Sequence, residues 1–214
     1  ATICHSYGVR FQTHEWLGYT ETKNFANSLA KYPLILSLDA DEALSDELKQ
    51  SILEVLANQK ASAYSMNRLT NYCGKWIKHG GWYPDKKIRL FNYSEGSWSG
   101  SLIHEAIIMN NGAAVEHLKG DLLHYSYHSI ADHVIQANNF TDLTAQKAFD
   151  ANKKSSVFHI LFNPVIKFKK DYFLKAGFLD GYYGFIICSI SAFATFLKYA
   201  KLHQLIRQSK ASGR

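Results

Sequence analysis

The chain has 214 residues, 47% of them hydrophobic and 20% charged, which excludes a disordered polyelectrolyte and leaves enough length for one substantial core. Its formal charge of +6 is concentrated in the C-terminal third, and such asymmetry points to an anionic partner, either nucleic acid or a membrane leaflet. Cys4, Cys73 and Cys188 are far apart and form no C-x-x-C pair, so neither a disulfide framework nor a zinc site is supported and a reducing compartment is expected.

Taken in chain order, residues 9–12 read as a short strand and residues 21–30 as a helix with Phe25, Ala26, Leu29 and Ala30 on one face. Lys23 and Asn24 would fall in that helix's first turn, where a lone cation opposes the helix dipole. A bound anion would relieve the conflict; simple solvation of the lysine is the alternative. Residues 33–38 form a short apolar run, the pattern of a buried strand, and end in Asp39, Ala40, Asp41 and Glu42. Alternate residues of a strand share a face, so Asp39 and Asp41 are expected to point the same way. Two hard oxygen ligands there suit Mg²⁺ or Mn²⁺ held jointly with substrate phosphates, and they equally suit a solvated turn before the next helix. A calcium loop is excluded, because Leu44 stands where its glycine belongs and Gln50 where its glutamate belongs. Ser45 then reads as an N-cap, with Asp46 and Glu47 in the first turn and Leu48, Ile52, Val55 and Leu56 as the buried stripe. Alternating strands and helices indicate an α/β sheet, whose ligand sites lie beyond the strand ends.

Residues 63–69 alternate as a strand. Residues 72–85 are rich in glycine and aromatics, and Trp76, Trp82 and Tyr83 beside Lys78 and His79 suit sugar rings or bases. Residues 87–91 read as a strand with Lys87 and Arg89 on one face and Ile88 and Leu90 on the other. His104 and Glu105 lie between apolar neighbours, where a buried pair must be either satisfied or used. After residue 127 the composition shifts, giving expected units of 1–127 and 128–214. Residues 129–152 form a polar amphipathic helix; residues 158–172 mix apolar side chains with lysines and are expected to break or kink at Pro164. Residues 181–197 carry no charge but are short for a bilayer span. Interfacial helices with lysines on anionic lipid are expected there, against the alternative of a helix packed on the first unit.

Several stretches occur together in order: Lys23-Asn24-Phe25-Ala26, Leu36-Ser37-Leu38-Asp39-Ala40-Asp41-Glu42, Asn67-Arg68, Gly81-Trp82-Tyr83-Pro84-Asp85, Arg89-Leu90-Phe91, His104-Glu105 and Phe173-Leu174-Lys175-Ala176-Gly177-Phe178-Leu179-Asp180-Gly181. In this ordered set the chain resembles family 2 glycosyltransferases, and within them the lipopolysaccharide core β-1,4-glucosyltransferase-like group, over nearly its whole length. The resemblance implies a GT-A nucleotide-sugar-binding fold, a mixed sheet flanked by helices, here with a C-terminal amphipathic helical extension. It implies a nucleotide-sugar donor (a UDP-hexose, glucose favoured), a lipid-linked or core oligosaccharide acceptor, Mg²⁺ or Mn²⁺, and inversion at the anomeric carbon.

Carried onto this sequence, the metal falls on Asp39 and Asp41, with His124 either completing its shell or serving as a core histidine. Lys23, Asn24, Asp39 and Arg89 are expected at the donor. Trp82, Tyr83, Asp85 and His104 are expected at the acceptor, with Glu105 the first choice of catalytic base and Asp85 the second. Members of the family begin with a βαβ unit that grips the nucleotide base, and this sequence does not contain it, so a truncated, inactive transferase is one alternative. A non-catalytic membrane- or nucleic-acid-binding module is another, although no nucleic-acid motif appears and no nucleic-acid partner is expected. The expected location is the cytoplasmic face of the inner membrane, held peripherally on its anionic surface.

Overall fold

The computed structural model describes residues 2–100 and 105–212. Two helices come first, α1 (Thr2–Ser6) and α2 (Tyr19–Ser28), joined by residues 9–18, which lack regular structure. The strand expected over 9–12 does not form, because no described strand lies beside it to complete a ladder, and Val9 and Phe11 stay exposed. Helix α2 begins earlier than its apolar spacing indicated. Lys23 therefore sits past the first turn, which carries Glu21 instead, as the dipole favours.

Strand β1 (Leu34–Leu36) is short, and the chain turns at Asp39, whose carbonyl accepts from the Glu42 amide at 3.0 Å, before β2 (Glu42–Leu44). Asp39 and Asp41 thus lie in a turn and not on the strand face expected for them. Ser45 caps α3 (Asp46–Ala57), its hydroxyl accepting from the Leu48 amide at 3.2 Å and the Asp121 amide at 3.0 Å. Leu48, Ile52 and Val55 are buried, whereas Leu56 falls off that stripe and is 62% exposed.

Next come β3 (Ala63–Tyr72), its hairpin partner β4 (Lys75–Ile77), β5 (Asp85–Asn92), the two-stranded hairpin β6 (Gly96–Ser99) with β7 (Ala106–Met109), and β8 (Val115–Tyr127). The main sheet runs β1-β5-β3-β8-β2, with β4 on β3. It is mixed: β3 and β8 are parallel and the other pairs antiparallel. With helices flanking it, this α/β architecture is GT-A-like, as the resemblance implied.

One face of the sheet closes on α3 through Leu48, Ile52, Tyr64, Met66 and Leu122, and the other closes on the small hairpin through Ala63, Phe91, Trp98 and Ile107. Gly120, at φ 84°, lets β8 pass the start of α3 where any Cβ would strike the Leu48 amide. A third cluster, Tyr72, Ile77 and Ile187, joins the sheet to the C-terminal helices.

Those helices are α4 (Ile130–Asp150), α5 (Val157–Lys169) and α6 (Gly181–Ser212). Helix α4 opens on a reciprocal cap in which Ser129 and Asp132 each accept the other's amide. Pro164 does not end α5, which continues to Lys169 because it packs along α6 and tolerates the one lost amide donor. A π-turn (Lys170–Leu174) and a 3-10 turn (Gly177–Asp180) lead into α6. Asp180 fastens this corner to the sheet: its buried carboxylate accepts from the amides of Lys78 at 3.2 Å and His79 at 2.8 Å.

Candidate active site

β1 and β2 lie at opposite edges of the main sheet, yet only residues 37–41 join them. A flat sheet of that order would set them roughly 19 Å apart at the usual strand spacing, and a segment that also turns at Asp39 joins them because the sheet curls. The connection runs between the two edges of this curled sheet at the strand ends, and it carries Asp39 and Asp41 with it.

Beneath it lies Arg89. The β3–β5 register shifts between Tyr64 and Ser65, so that Leu90 and Ile88 are paired while Arg89 is the extra residue of a bulge. Its Nε donates to Glu42 Oε2 at 3.0 Å, and its Nη2 to Glu42 Oε1 at 2.7 Å and Asp39 Oδ2 at 3.1 Å. Glu42, with its side chain fully buried, is thus the anchor of the arginine. Lys23 reaches from α2 to Asp39 Oδ1 at 2.8 Å and lies 4.2 Å above the Trp98 ring. Arg89 stands 5.1 Å from the same ring. Burial pushes the Asp39 carboxyl up, but the Lys23 hydrogen bond and the charges of Arg89, Lys23 and Arg68 outweigh it, leaving the group below its ordinary value.

Two further cations sit beside this pair. Arg68 donates to Asp85 through Nε at 3.0 Å, with Nη2 at 2.8 Å, and Lys87 takes the other Asp85 oxygen at 3.0 Å. Asp41 faces His124, whose Nε2 is 3.2 Å from Oδ2. Burial and Arg68 hold His124 below its ordinary value despite the pull of Asp41 and Glu42, so the ring is neutral near pH 7 and acts as a hydrogen-bonding support for Asp41.

Lys23, Asp39, Asp41, Arg68, Lys87, Arg89, Glu105 and His124 line one cavity of about 690 Å³. A size of that order suits a small-molecule ligand. Glu105 also lines a neighbouring cavity of about 560 Å³, with Leu17, Gly18, Gln146 and Lys147 among its walls. This carboxylate therefore stands between the two spaces. Burial raises its pKa; Lys23 lowers it in part, and Asp39 and Glu21 raise it further. Among the described residues it has no hydrogen-bond or ion-pair partner. The combination is a bay of four cations already paired with carboxylates, and a carboxylate of raised pKa at the mouth of a second pocket.

Comparison with known proteins gives the family. The chain is 31% identical to an uncharacterized glycosyltransferase of Rickettsia typhi, with 97% of this chain and 75% of the relative aligned. It is 30% identical to an uncharacterized glycosyltransferase of Rickettsia bellii over 99% of this chain and 76% of the relative. The chain belongs to the glycosyltransferases. A further relative, the lipopolysaccharide core biosynthesis glycosyltransferase LpsC of Rhizobium meliloti, is 26% identical over 92% of this chain and 73% of its own length. No family model matches the chain.

In this glycosyltransferase the other expected site residues are distributed unevenly. Asn24 clamps the Trp98 main chain, donating to its carbonyl and accepting from its amide, both at 2.9 Å, and so holds the ring under Lys23. Asp85 lies behind the cavity wall as the shared counter-ion of Arg68 and Lys87. Trp82 and Tyr83 do not line this cavity: Trp82 packs against Tyr72, Tyr127 and His133, and the Tyr83 hydroxyl donates to Asp121 at 3.0 Å. His104 lies outside the described residues.

Among the described residues no cluster of three or more His, Cys, Asp or Glu converges as a metal cage. Asp39 and Asp41, two hard oxygen donors lining one cavity, are of the residue type that Mg²⁺ takes together with substrate phosphates. Asp41 keeps one oxygen uncommitted, while Asp39 is shared with Lys23 and Arg89, so a cation there competes with the lysine.

Trp98, Lys87 and the α4 residues Gln136, Asn139, Phe140 and Leu143 complete the lining, and sequence reasoning did not assign them to the site. The α4 set recurs at intervals of three and four, a helical face that amphipathic pattern alone does not distinguish from solvent-facing surface.

Proposed function

We propose that this glycosyltransferase moves a hexose, glucose favoured, from a UDP-sugar to a saccharide acceptor of the lipopolysaccharide core or a related envelope glycan, with inversion. What carries the reading is the position of Glu105, a carboxylate of raised pKa between a bay of paired cations and carboxylates and a second pocket. The name of the relative LpsC supports the acceptor class.

In the proposed reaction the donor diphosphate lies against Lys23, Arg68, Lys87 and Arg89. An acceptor hydroxyl from the neighbouring cavity attacks the anomeric carbon as the bond to the diphosphate oxygen breaks. Glu105 takes the hydroxyl proton, and the departing diphosphate carries the electron pair, its charge met by the cations. Burial suits Glu105 to the task, because a raised pKa makes it a stronger base than an exposed carboxylate. Asp39 and Asp41 would hold Mg²⁺ or Mn²⁺, which when bound supplies further positive charge to the leaving group. His124 keeps Asp41 oriented.

The test pairs two variants of the protein. Glu105→Gln is expected to lower turnover by roughly a hundred- to ten-thousandfold with donor affinity unchanged by calorimetry; near-normal turnover removes Glu105 from the role. Asp41→Asn is expected to weaken Mn²⁺-dependent UDP binding in the same calorimeter, and an unchanged titration removes the metal from that pair.

A further inference from the structure

The tail of the chain has a surface that no part of the sugar-transfer reading uses. On α5 the exposed residues come in pairs four apart: Val157 and Phe158, Leu161 and Phe162, Val165 and Ile166. This spacing is one continuous helical face, and it is apolar. The face carries on through Lys169 and Lys170 to Phe173 and Leu174, the latter 83% exposed. No residue of α5 is fully buried. Phe158 and Phe162 stack on each other, 4.3 Å apart, in place of packing into a core. An apolar stripe turned outward is the reverse of a soluble helix.

The charges around it are one-sided. After Asp150 the chain has only two acidic residues, Asp171 and Asp180, and both are buried, 3% and 4% exposed. Asp171 is neutralised by Lys167 at 2.7 Å, and Asp180 is occupied by the Lys78 and His79 amides. Lys153, Lys154, Lys169, Lys170 and Lys198 have no ion-pair partner among the described residues. The exposed tail is thus phenylalanine and aliphatic surface edged by cations, with no described carboxylate exposed on it.

We propose that this face docks in the plane of an anionic phospholipid leaflet, with the α5 stripe among the acyl chains and Lys169 and Lys170 at the headgroups. The apolar area and the lysines act together, and stable attachment of a surface protein generally takes two such signals. Residues Gly177–Ser212 contain an 18-residue stretch long and apolar enough to cross a membrane by length and composition, with a mean hydropathy of 1.4 over that stretch. However, α6 is tied along α4, where Lys201 donates to Asn138 and pairs with Asp142 at 2.7 Å and where Leu202 packs on Ala145 and Ala148. Crossing a bilayer would carry α4 into the hydrocarbon, and α4 lines the strand-end cavity. The in-plane arrangement leaves that cavity in water.

This inference stands on the surface alone, so the test contains no donor or acceptor, and failure of the sugar-transfer reading leaves it untouched. The protein is sedimented with vesicles of phosphatidylcholine, with and without phosphatidylglycerol. Binding to the anionic vesicles is expected, falling with salt and released by alkaline carbonate. Phe158→Ser/Phe162→Ser is expected to lower partitioning by roughly tenfold or more while its thermal melt matches the parent. Lys169→Gln/Lys170→Gln, which leaves the apolar stripe intact, should lower it on anionic vesicles by about tenfold and flatten the salt dependence. Absence of vesicle binding overturns the proposal, as does parent-like binding by both double variants. Retention after carbonate overturns it in favour of a spanning α6. A stable dimer dissociated by the phenylalanine variant overturns it in favour of a second copy on the stripe.

Discussion

In the strand-end cavity the charges point inward and each cation has a carboxylate in reach: Lys23 on Asp39, Arg68 and Lys87 on Asp85, Arg89 on Glu42. On α5 the order is inverted, with apolar side chains turned outward and the nearest acid, Asp171, withdrawn into the protein. The two regions differ in what is completed within the chain. The cavity's charges are neutralised before any ligand arrives, so its geometry is already set and an incoming anion must exchange partners. The tail's outer face has no partner in the chain, so burying it requires something outside.

The strongest test of a prewired cavity is to cut one wire. Arg89→Leu would leave the buried Glu42 carboxyl with the Asp39 amide at 3.1 Å and Arg68 at 3.9 Å, and no close cation. Breaking such a pair costs about 3–5 kcal/mol, read as a lowered midpoint in urea unfolding. Arg89→Leu/Glu42→Leu should recover much of that loss, because no unpaired charge remains. A single variant within about 1 kcal/mol of the parent would mean that the network is decoration on a fold that stands without it.

Between the two regions sits His133, on α4, with its Nδ1 3.0 Å from the Tyr72 hydroxyl on β3. Burial pushes its pKa down from 6.5 to about 4. The folded state therefore binds fewer protons than the unfolded one between those values. This contribution to stability is full above pH 6.5 and is lost as pH falls toward about 4. The loss is on the order of 2–3 kcal/mol once the ring is forced to charge. Urea unfolding at a series of pH values should show that slope, and His133→Phe should flatten it. An unchanged slope in the variant would place the pH sensitivity elsewhere and loosen the proposed joint between sheet and tail.

Legibility in the sequence divides along the same line as the chemistry. The α/β class, the Ser45 cap and the outlines of most strands and helices follow from local spacing, and the structure has them. Lys23, Asp39, Asp41, Arg89, Glu105 and His124 are each placed at the site by the ordered resemblance, and the fold brings them to one cavity. What could not be read were properties of register and crossing. The bulge at Arg89 exists only in the β3–β5 pairing, and the short passage of residues 37–41 between the two edge strands exists only in the strand order. Trp98 resembled any strand tryptophan until Lys23 and Arg89 were found beside it. Trp82 looked available for stacking on a ligand because composition does not reveal that Tyr72, Tyr127 and His133 surround it.

The smallest expected effect carries the contrast furthest. Leu161 on α5 and Leu48 on α3 are the same residue at helical positions, 58% and 0% exposed. Leu48→Ala removes atoms from the sheet's main core and should cost about 2–5 kcal/mol. Leu161→Ala removes surface already in water and should change unfolding free energy by no more than roughly 0.5 kcal/mol. Measured in urea without lipid, equality of the two would mean that α5 is covered in solution, by a second copy or by rearrangement against α6. If only Leu48 matters, the stripe contributes nothing to folding. A sequence that keeps six large apolar side chains on such a face must then hold them for contacts made outside the chain.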